Sequence, residues 1–427
     1  VTAYGETSGE PGDTKPVPVY DTDNPPVLIE PSPIGTTPVG GQPSLMPYDE
    51  DTFPTKMFIA AATSAQAAIA TEITLGGTFI WTEISTGLTG NSIWASSDPF
   101  DYSRIFLLTT TGLYTCTPYS FSGWTLVANN ATIFGNSARV GQKIVMSINR
   151  RGWIYLTSGG SMCAWSSNYG VTWTNNGGTA GTGTSPYNQD VVVSPYNDGS
   201  SAVGWMYRCL YTGSGLNTIY KSTDWGQNWT SLGTKNLWAW LSGRLNIPYK
   251  KSDGSDNIND TTQLLYVACG AGHSSNGGAI HKSEDAGVTW SGYYTAGGNA
   301  IYVPATSYGG SSIQTFTYDG GVVLCGNLLT GAGGGTVGLF VEDDGVVVSN
   351  AGHVSAGSTN LNSMCVNGFS YSRLAALFWN QIGVNAELNY TIDGGANVYN
   401  VNLPSFFTGS PKLIGYAEWP LIDFVIG

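Results

Sequence analysis

The stretch "KSEDAGVTWSGY", residues 282–293, places a hydroxyl, a carboxylate and an indole at fixed spacing around Gly287. The Asp285 carboxylate could act as a general base, or it could hydrogen-bond to the backbone of a tight turn. Two further segments, "SSNYGVTW" and "STDWGQNW", share the pattern S-x-[DN]-x-G-x-x-W. The first of them carries Asn168 in place of the acid. Because an amide cannot act as a general base, the pattern predicts an architectural turn.

In each predicted turn, the glycine supplies a positive φ and the tryptophan packs between sheets. Two weaker copies at "VEDDGVVV" and "TIDGGANV" keep the acid and the glycine, whereas "GGTFIWTEI" and "FSGWTLV" keep only the aromatic end. The predicted turn residues are Ser166, Asn168, Gly170, Trp173, Ser222, Asp224, Gly226, Trp229, Ser283, Asp285, Gly287, Trp290, Asp343, Gly345, Asp393 and Gly395.

The turns recur within a larger unit of four β-strands. Each copy follows a glycine-punctuated hairpin such as "GWIYLTSGGSMCAWS", and a further short apolar segment precedes the hairpin, so the turn joins the third strand to the fourth. The motif ends at positions 81, 124, 173, 229, 290, 348 and 398 are 43 to 61 residues apart. Repeats of this kind predict an all-β, seven-bladed β-propeller over residues 56–427.

The last blade is expected to combine both ends of the domain, residues 412–427 with residues 57–84. The 29 residues after Val398 and the 25 from Met57 to Trp81 together make one more unit. Such closure protects sheet edges. The alanine-rich "AAATSAQAAIATEI" in this blade also has helix propensity, so its conformation stays open at this point.

The recurring motif resembles the Asp box, or BNR repeat, of sialidases, certain endoglucanases, sortilin-type receptors and Ycf48-type photosystem II assembly factors. The resemblance implies a propeller whose motif turns lie on the rim, away from the central site. Sialidase-like catalysis would also need an arginine cluster, a Tyr–Glu pair and an Asp acid. The chain has only seven arginines and lacks the early Arg-Ile-Pro signature. We therefore expect no enzyme, no catalytic residue and no cofactor, with a carboxylate pair for glycoside hydrolysis as the open alternative.

Residues 1–55 form a separate proline-rich, acidic arm. They contain eleven of the twenty prolines and no Trp or Cys, a composition that favours extended polyproline-type geometry. The arm could wrap its own domain or dock on neighbouring subunits of an assembly. Its expected apolar anchors are Val17, Val19, Tyr20, Val27, Leu28, Ile29 and Leu45.

Charge and cysteine usage restrict the partners. A formal charge of −13 repels nucleic acid and anionic lipid, and no apolar run approaches the roughly 18 residues that span a bilayer. The sequence begins at Val1 without a methionine or signal-like segment, which suggests a processed or truncated start. Six cysteines without paired spacing are expected to be mostly buried free thiols, typical of assembly in a reducing compartment.

The remaining candidate sites each have a plain structural interpretation. Three isolated histidines are expected in loops or on blade surfaces, and no metal site is expected. The oxygen-rich segment 250–262 is interpreted as a solvated loop more readily than as a calcium site. Two tryptophans in "NLWAWLSG" are expected to pack between blades more readily than to stack on sugars. These residues are His273, His281, His353, Asp253, Asp256, Asn257, Asn259, Asp260, Trp238 and Trp240.

These features favour a non-catalytic structural or adhesive propeller on a large extracellular assembly, such as a virion, tail or surface filament, anchored by residues 1–55. The expected partners are other subunits of that assembly, with a glycan or receptor as a further possibility. The main alternative is a secreted glycan-binding or glycan-cleaving propeller. A Ycf48-like assembly factor is a third alternative, which the acidic composition disfavours.

Overall fold

The computed structural model describes part of the chain, and side chains are described only before residue 293. The described residues are 55–60, 64–74, 78–98, 101–116, 123–147, 150–158, 162–175, 189–194, 205–213, 216–224, 226–236, 244–247, 257, 261–268, 280–292, 301–302, 313–315, 322–329, 335–343, 346–353, 359–366, 374–380, 386–391, 399–401 and 422–423. The predicted arm anchors lie outside them.

The first three sheets follow one another along the chain. Sheet 1 contains β1 (Thr55–Ala60), β2 (Ala67–Thr74) and β3 (Thr78–Glu83). Sheet 2 contains β4 (Ser92–Asp98), β5 (Asp101–Thr109), β6 (Gly112–Cys116) and β7 (Thr125–Asn129). A short helix, α1 (Asn130–Phe134), leads to sheet 3, which contains β8 (Gly141–Met146), β9 (Ile154–Ser158), β10 (Met162–Ser166) and β11 (Thr174–Asn175).

Sheets 4 and 5 repeat this order. Sheet 4 contains β12 (Gln189–Val193), β13 (Met206–Gly213), β14 (Leu216–Ser222) and β15 (Thr230–Asn236). Sheet 5 contains β16 (Arg244–Asn246), β17 (Leu265–Ala268), β18 (Ile280–Ser283) and β19 (Ser291–Gly292).

The remaining strands complete seven sheets within the described residues. Sheet 6 contains β20 (Ile301–Tyr302), β21 (Ile313–Thr315), β22 (Val322–Leu329), β23 (Gly335–Asp343) and β24 (Val346–His353). Sheet 7 contains β25 (Thr359–Val366), β26 (Leu374–Asn380), β27 (Ala386–Thr391) and β28 (Tyr399–Val401). The last strand, β29 (Ile422–Asp423), pairs antiparallel with β1 in sheet 1, with Thr55 opposite Asp423 and Lys56 opposite Ile422.

Every described strand pair is antiparallel, and sheets 2, 3, 4, 5 and 7 keep their strands in chain order. The first strands of neighbouring sheets contact one another: β4 with β8, β8 with β12, and β12 with β16. β16 contacts β21, which contacts β25 in turn. The predicted unit of four antiparallel strands is therefore confirmed, and the sheets succeed one another as propeller blades do.

The core lies between successive sheets. On β9, Ile154 and Leu156 face sheet 2, whereas Tyr155 packs with Val191 and Met206 of sheet 4. All five residues of β9 are buried, because its two faces are both covered. A continuous buried strand of this kind explains why the blade segments are apolar without strict alternation. The same layering joins sheet 1 to sheet 2 and sheet 4 to sheet 5.

Three further sequence-based expectations concern the described residues. The alanine-rich segment forms strand β2, so its β-pairing overrides its helix propensity. Cys116, Cys163 and Cys209 are buried free thiols. Burial raises the pKa of Cys116 and Cys163 to about 11, although Arg208 lowers that of Cys163. Among the described residues, no helix is long and apolar enough to cross a membrane.

Candidate functional site

The three complete motif copies occupy the same position in three consecutive sheets. Ser166, Ser222 and Ser283 are the last residues of β10, β14 and β18, the third strands of sheets 3, 4 and 5. Each following turn leads to the fourth strand of the same sheet. The turns therefore lie at equivalent edges of three sheets.

In the third copy, a closed set of hydrogen bonds holds the turn. The Ser283 hydroxyl donates to Asp285 Oδ1 at 2.9 Å and accepts from the Gly287 backbone N–H at 2.8 Å. Asp285 Oδ1 also accepts from the Thr289 backbone N–H at 2.7 Å, and its Oδ2 accepts from the Thr289 hydroxyl at 2.5 Å. Gly287 has a φ of 87°, in the left-handed region that favours glycine. Both carboxylate oxygens thus serve the turn.

The second copy has the same arrangement. The Ser222 hydroxyl donates to Asp224 Oδ1 and accepts from the Gly226 N–H, both at 2.8 Å. Asn228 takes the place of threonine, since its backbone N–H donates to Asp224 Oδ1 at 2.8 Å and its side-chain amide donates to Oδ2 at 2.7 Å.

The first copy forms the turn without a charge. Asn168 Oδ1 accepts from the Ser166 hydroxyl and from the Thr172 backbone N–H, both at 2.9 Å. The Asn168 amide donates to the Thr172 hydroxyl at 2.8 Å, so the direction of this one bond is reversed relative to the acidic copies. The Gly170 N–H donates to the Ser166 hydroxyl at 2.8 Å. The turn therefore needs an acceptor oxygen at this position, not a negative charge.

Hydrogen bonding also sets the ionisation of the two acidic turns. Burial alone would raise the pKa of Asp285, but hydrogen bonds from Thr289 and Ser283 outweigh it and lower the pKa below 3.8. At Asp224 the same burial effect is outweighed by hydrogen bonds from Asn228 and Ser222, and the pKa is again lowered. A carboxylate held in its ionised form near neutral pH is unsuited to act as a general acid.

The three tryptophans pack between sheets. Trp173 lies against the core between sheets 2 and 3, Trp229 against the core between sheets 3 and 4, and Trp290 against the core between sheets 4 and 5. Each indole is partly buried. Trp290 Nε1 also donates to the Gly287 carbonyl at 2.9 Å, which ties the indole to its own turn.

The two weaker copies are described only in part. Asp343 ends β23 and pairs with Val346 of β24, so this copy also connects a third strand to a fourth. Gly345, Asp393 and Gly395 lie outside the described residues. Thr391 ends β27, the third strand of sheet 7.

Two expectations outside the turns were wrong in detail. Asn257, expected in a solvated loop, is fully buried: its side-chain amide donates to the Leu264 carbonyl and its Oδ1 accepts from the Leu264 N–H. Gln263 extends this network by donating to the Oγ of Ser194, the residue after β12, at 2.7 Å. His281, expected in a loop or on a blade surface, lies in β18 and is 8% exposed, because β18 is an interior strand of sheet 5.

Most of the other candidate residues lie outside the described part of the chain. Among the described residues, no group of three His, Cys, Asp or Glu side chains is placed to hold a metal ion. The candidates outside the described residues are His273, Asp253, Asp256, Asn259, Asp260, Trp238 and Trp240.

The sequence interpretation missed a cluster around Tyr169, which lies inside the first turn. Arg151 Nε donates to the Tyr169 hydroxyl at 3.0 Å, and the Arg104 guanidinium carbon lies 4.7 Å from the centre of the tyrosine ring. Asp98 is buried with an oxygen 4.0 Å from Arg104. Burial raises the pKa of Tyr169, although the Arg151 hydrogen bond opposes it. The adjacent basic residues Arg150 and Arg151 are visible in the sequence as a candidate charged site. Arg104 belongs to the neighbouring sheet, so its contact with Tyr169 could not be found from local sequence.

The topology defines a mostly β protein of repeated four-stranded antiparallel sheets, consistent with the β-propeller class. Solved propeller structures resemble it at low identity. A structure described as YCF48 bound to D1 peptide shares 11% identity over 82% of this chain and 86% of that chain, with a TM-score of 0.46. The propeller domain of the Trilobed protease from Pyrococcus furiosus shares 8% identity over 82% of this chain and 96% of that chain, with a TM-score of 0.45.

A GH74 xyloglucanase from Xanthomonas campestris shares 15% identity over 81% of this chain and 58% of that chain, with a TM-score of 0.40. No family model and no curated protein matches the chain. The assignment to the propeller class rests on the sheet topology of this chain itself.

Proposed function

We propose that this protein is a non-catalytic β-propeller that serves as a structural or adhesive module of a larger extracellular assembly, such as a virion, tail or surface filament. Residues 1–55 anchor it to other subunits. The seven sheets are the blades of one closed ring, in which β29 and β1 join the two ends of the domain. The pairing of Lys56 with Ile422 and the contacts between successive first strands support this closure.

The observation that carries the proposal is the use of the motif carboxylates. Asp224 and Asp285 accept hydrogen bonds on both of their oxygens within the turn, and Asn168 fills the same position without any acid–base capacity. The carboxylate and amide side chains of the repeated motif therefore stabilise turns between strands. A protein whose repeated polar motif is architectural is suited to present a rigid surface.

The anchoring role can be tested in the full chain by weakening the arm. Replacing Val27, Leu28 and Ile29 by serine should remove the protein from its native assembly, measured by sedimentation of particles produced with each variant. Thr14→Ser, Thr36→Ser and Thr37→Ser form a control with three changes in the same arm. Retention of the first variant at wild-type occupancy would show that the arm is not the anchor.

The non-catalytic role has a separate test. The full chain should release no reducing sugar from a panel of soluble polysaccharides. Any binding of the chain to immobilised glycans should occur without hydrolysis of the glycan. Hydrolysis that copurifies with the protein and disappears on substitution of a carboxylate would establish the glycosidase alternative instead.

A further inference from the structure

Charge is distributed unevenly along this acidic chain. Residues 1–54 contain nine acidic residues and one lysine, a formal charge of −8. Residues 102–189 contain five basic residues and no acidic one, a formal charge of +5 in a chain that carries −13. This positive segment covers most of sheets 2 and 3, and Asp98 and Asp101 of sheet 2 precede it. The two segments are therefore electrostatically complementary.

The fold gathers part of the positive segment at one place. Arg150 and Arg151 lie in the turn between β8 and β9, and the Tyr169 N–H donates to the Gly152 carbonyl of this turn at 2.8 Å. Arg104 reaches the same tyrosine ring from sheet 2. We call Arg104, Arg150, Arg151, Tyr169 and Val171 the arginine face.

The arginine face combines positive charge with exposed apolar surface. The Arg151 side chain is exposed and that of Arg150 is partly exposed. Val171, two residues beyond Tyr169, is 76% exposed and so offers an apolar side chain in the same turn as Tyr169. Asp98, the acid next to Arg104, is fully buried and offsets the Arg104 charge, so the positive charge of the face comes mainly from Arg150 and Arg151. A surface of this composition suits an extended acidic segment with apolar side chains.

We propose that the arginine face binds acidic residues of the arm, within residues 1–54, of a second copy of this chain. This inference rests on the proposed function, in which the arm is the anchor, and it names the surface that receives the arm. The segment "VPVYDTD", residues 17–23, offers chemistry that suits the face, because it places Asp21 and Asp23 directly after the apolar Val19 and Tyr20. The acids meet the guanidinium groups while an apolar side chain covers Val171.

The arm is long enough to extend beyond its own chain. A proline-rich segment in polyproline geometry rises about 3.1 Å per residue, so 54 residues extend up to about 170 Å. The arm joins the domain at Thr55 in sheet 1, and a segment of this length can reach a neighbouring copy. Repetition of such a head-to-tail contact generates a ring or filament.

Charge exchange tests the proposal in the full chain. In the face variant, Arg150 and Arg151 are replaced by glutamate; in the arm variant, Asp21 and Asp23 are replaced by lysine. Sedimentation velocity at increasing protein concentration should show wild-type self-association that weakens as NaCl rises from about 50 to about 500 mM. Each variant alone should associate at least about tenfold more weakly. An equimolar mixture of the two variants should associate again, since each arm then meets a face of opposite charge.

Two controls make the result specific. The pair Lys235→Glu and Lys282→Glu changes the net charge as the face variant does, but in sheets 4 and 5, and should leave association unchanged. Circular dichroism melts check that each variant is folded, and Arg150→Gln with Arg151→Gln supplies a milder face variant if the glutamates prevent folding.

The proposal and the anchoring role can fail separately. A wild-type chain that stays monomeric at every concentration and salt overturns the proposal, as expected if the arm binds its own chain. Association lost in the arm variant but kept in both face variants also overturns it, because the arm then binds elsewhere. In either case, loss of the serine arm variant from the native assembly would still support the anchoring role.

Discussion

The turn at Asn168 and the turn at Asp285 have the same backbone form but different charge. In both, a buried serine hydroxyl accepts from the glycine N–H and donates to the Oδ1 atom of the third residue of the motif. In both, that oxygen also accepts from the N–H four residues later. Only the bond to the threonine hydroxyl differs, since Asn168 donates and Asp285 accepts. The shared hydrogen bonds define the turn, and the charge is an addition to it.

The comparison separates three contributions to each blade. The indole joins neighbouring sheets, the serine satisfies buried backbone, and the third residue of the motif closes the turn at its exposed side. The three groups differ in burial: Ser283 is 1% exposed, Trp290 is partly buried and Asn168 is exposed. The expected costs of substitution follow from what each group covers.

The largest effect is expected from Trp290→Ala. The indole packs against the core between sheets 4 and 5, so its loss should lower the free energy of unfolding by about 3 kcal/mol. Urea unfolding followed by circular dichroism measures this cost. A loss below that of Ser283→Ala would contradict the view that the motif mainly joins blades.

Ser283→Ala should cost about 2 kcal/mol, because the Gly287 N–H is left buried without its acceptor. Ser166→Ala should cost a similar amount, since the serine contacts are the same in the uncharged turn. The exposed Ser167→Ala is a matched control and should be neutral. A large difference in unfolding free energy between the Ser166 and Ser283 variants would show that the Asp285 charge strengthens the hydrogen bonds of the serine.

The short-range parts of this arrangement could be predicted from sequence. Ser283, Asp285 and Gly287 contact one another within one turn, so residue types and spacing suffice to place them. The four-strand unit follows from hairpin patterns for the same reason. The contact of Arg104 with Tyr169 depends on how two sheets pack, which no local pattern encodes. Asn257 was misplaced because its burial depends on a contact with the strand-leading Leu264, not on the polarity of its own loop.

Asp285→Asn should cost less than about 1 kcal/mol at neutral pH. The Asn168 turn shows how an amide is accommodated, since the threonine hydroxyl rotates from donor to acceptor. Thr289 occupies the position of Thr172 and can do the same. The control Asp285→Ala removes both acceptors and should cost about 2 kcal/mol in the same urea experiment. Equal costs for the two variants would show that the charge, not the oxygen, is required.

The smallest effect at neutral pH is expected from Asn168→Asp, which gives the first turn the form of the third. Thr172 can donate to the new carboxylate as Thr289 does to Asp285, so stability at pH 7 should be nearly unchanged. The difference should emerge in acid. The pKa of Asp285 is lowered below its ordinary 3.8 in the folded protein, so its contribution is present above that pH and is lost as the pH falls through the folded pKa.

Asn168→Asp should therefore lose more thermal stability than wild type as the pH falls from about 5 toward 3, and the double variant Asp224→Asn and Asp285→Asn should lose less. Melting temperatures across this range, measured by circular dichroism, provide the test, with pH 7 as the internal reference. The two variants should lie on opposite sides of wild type, because one adds a carboxylate with a lowered pKa and the other removes two. If the melting temperatures of all three proteins fall in parallel as the pH decreases, the turns contribute nothing to acid sensitivity. The charge of Asp285 then makes no contribution to stability.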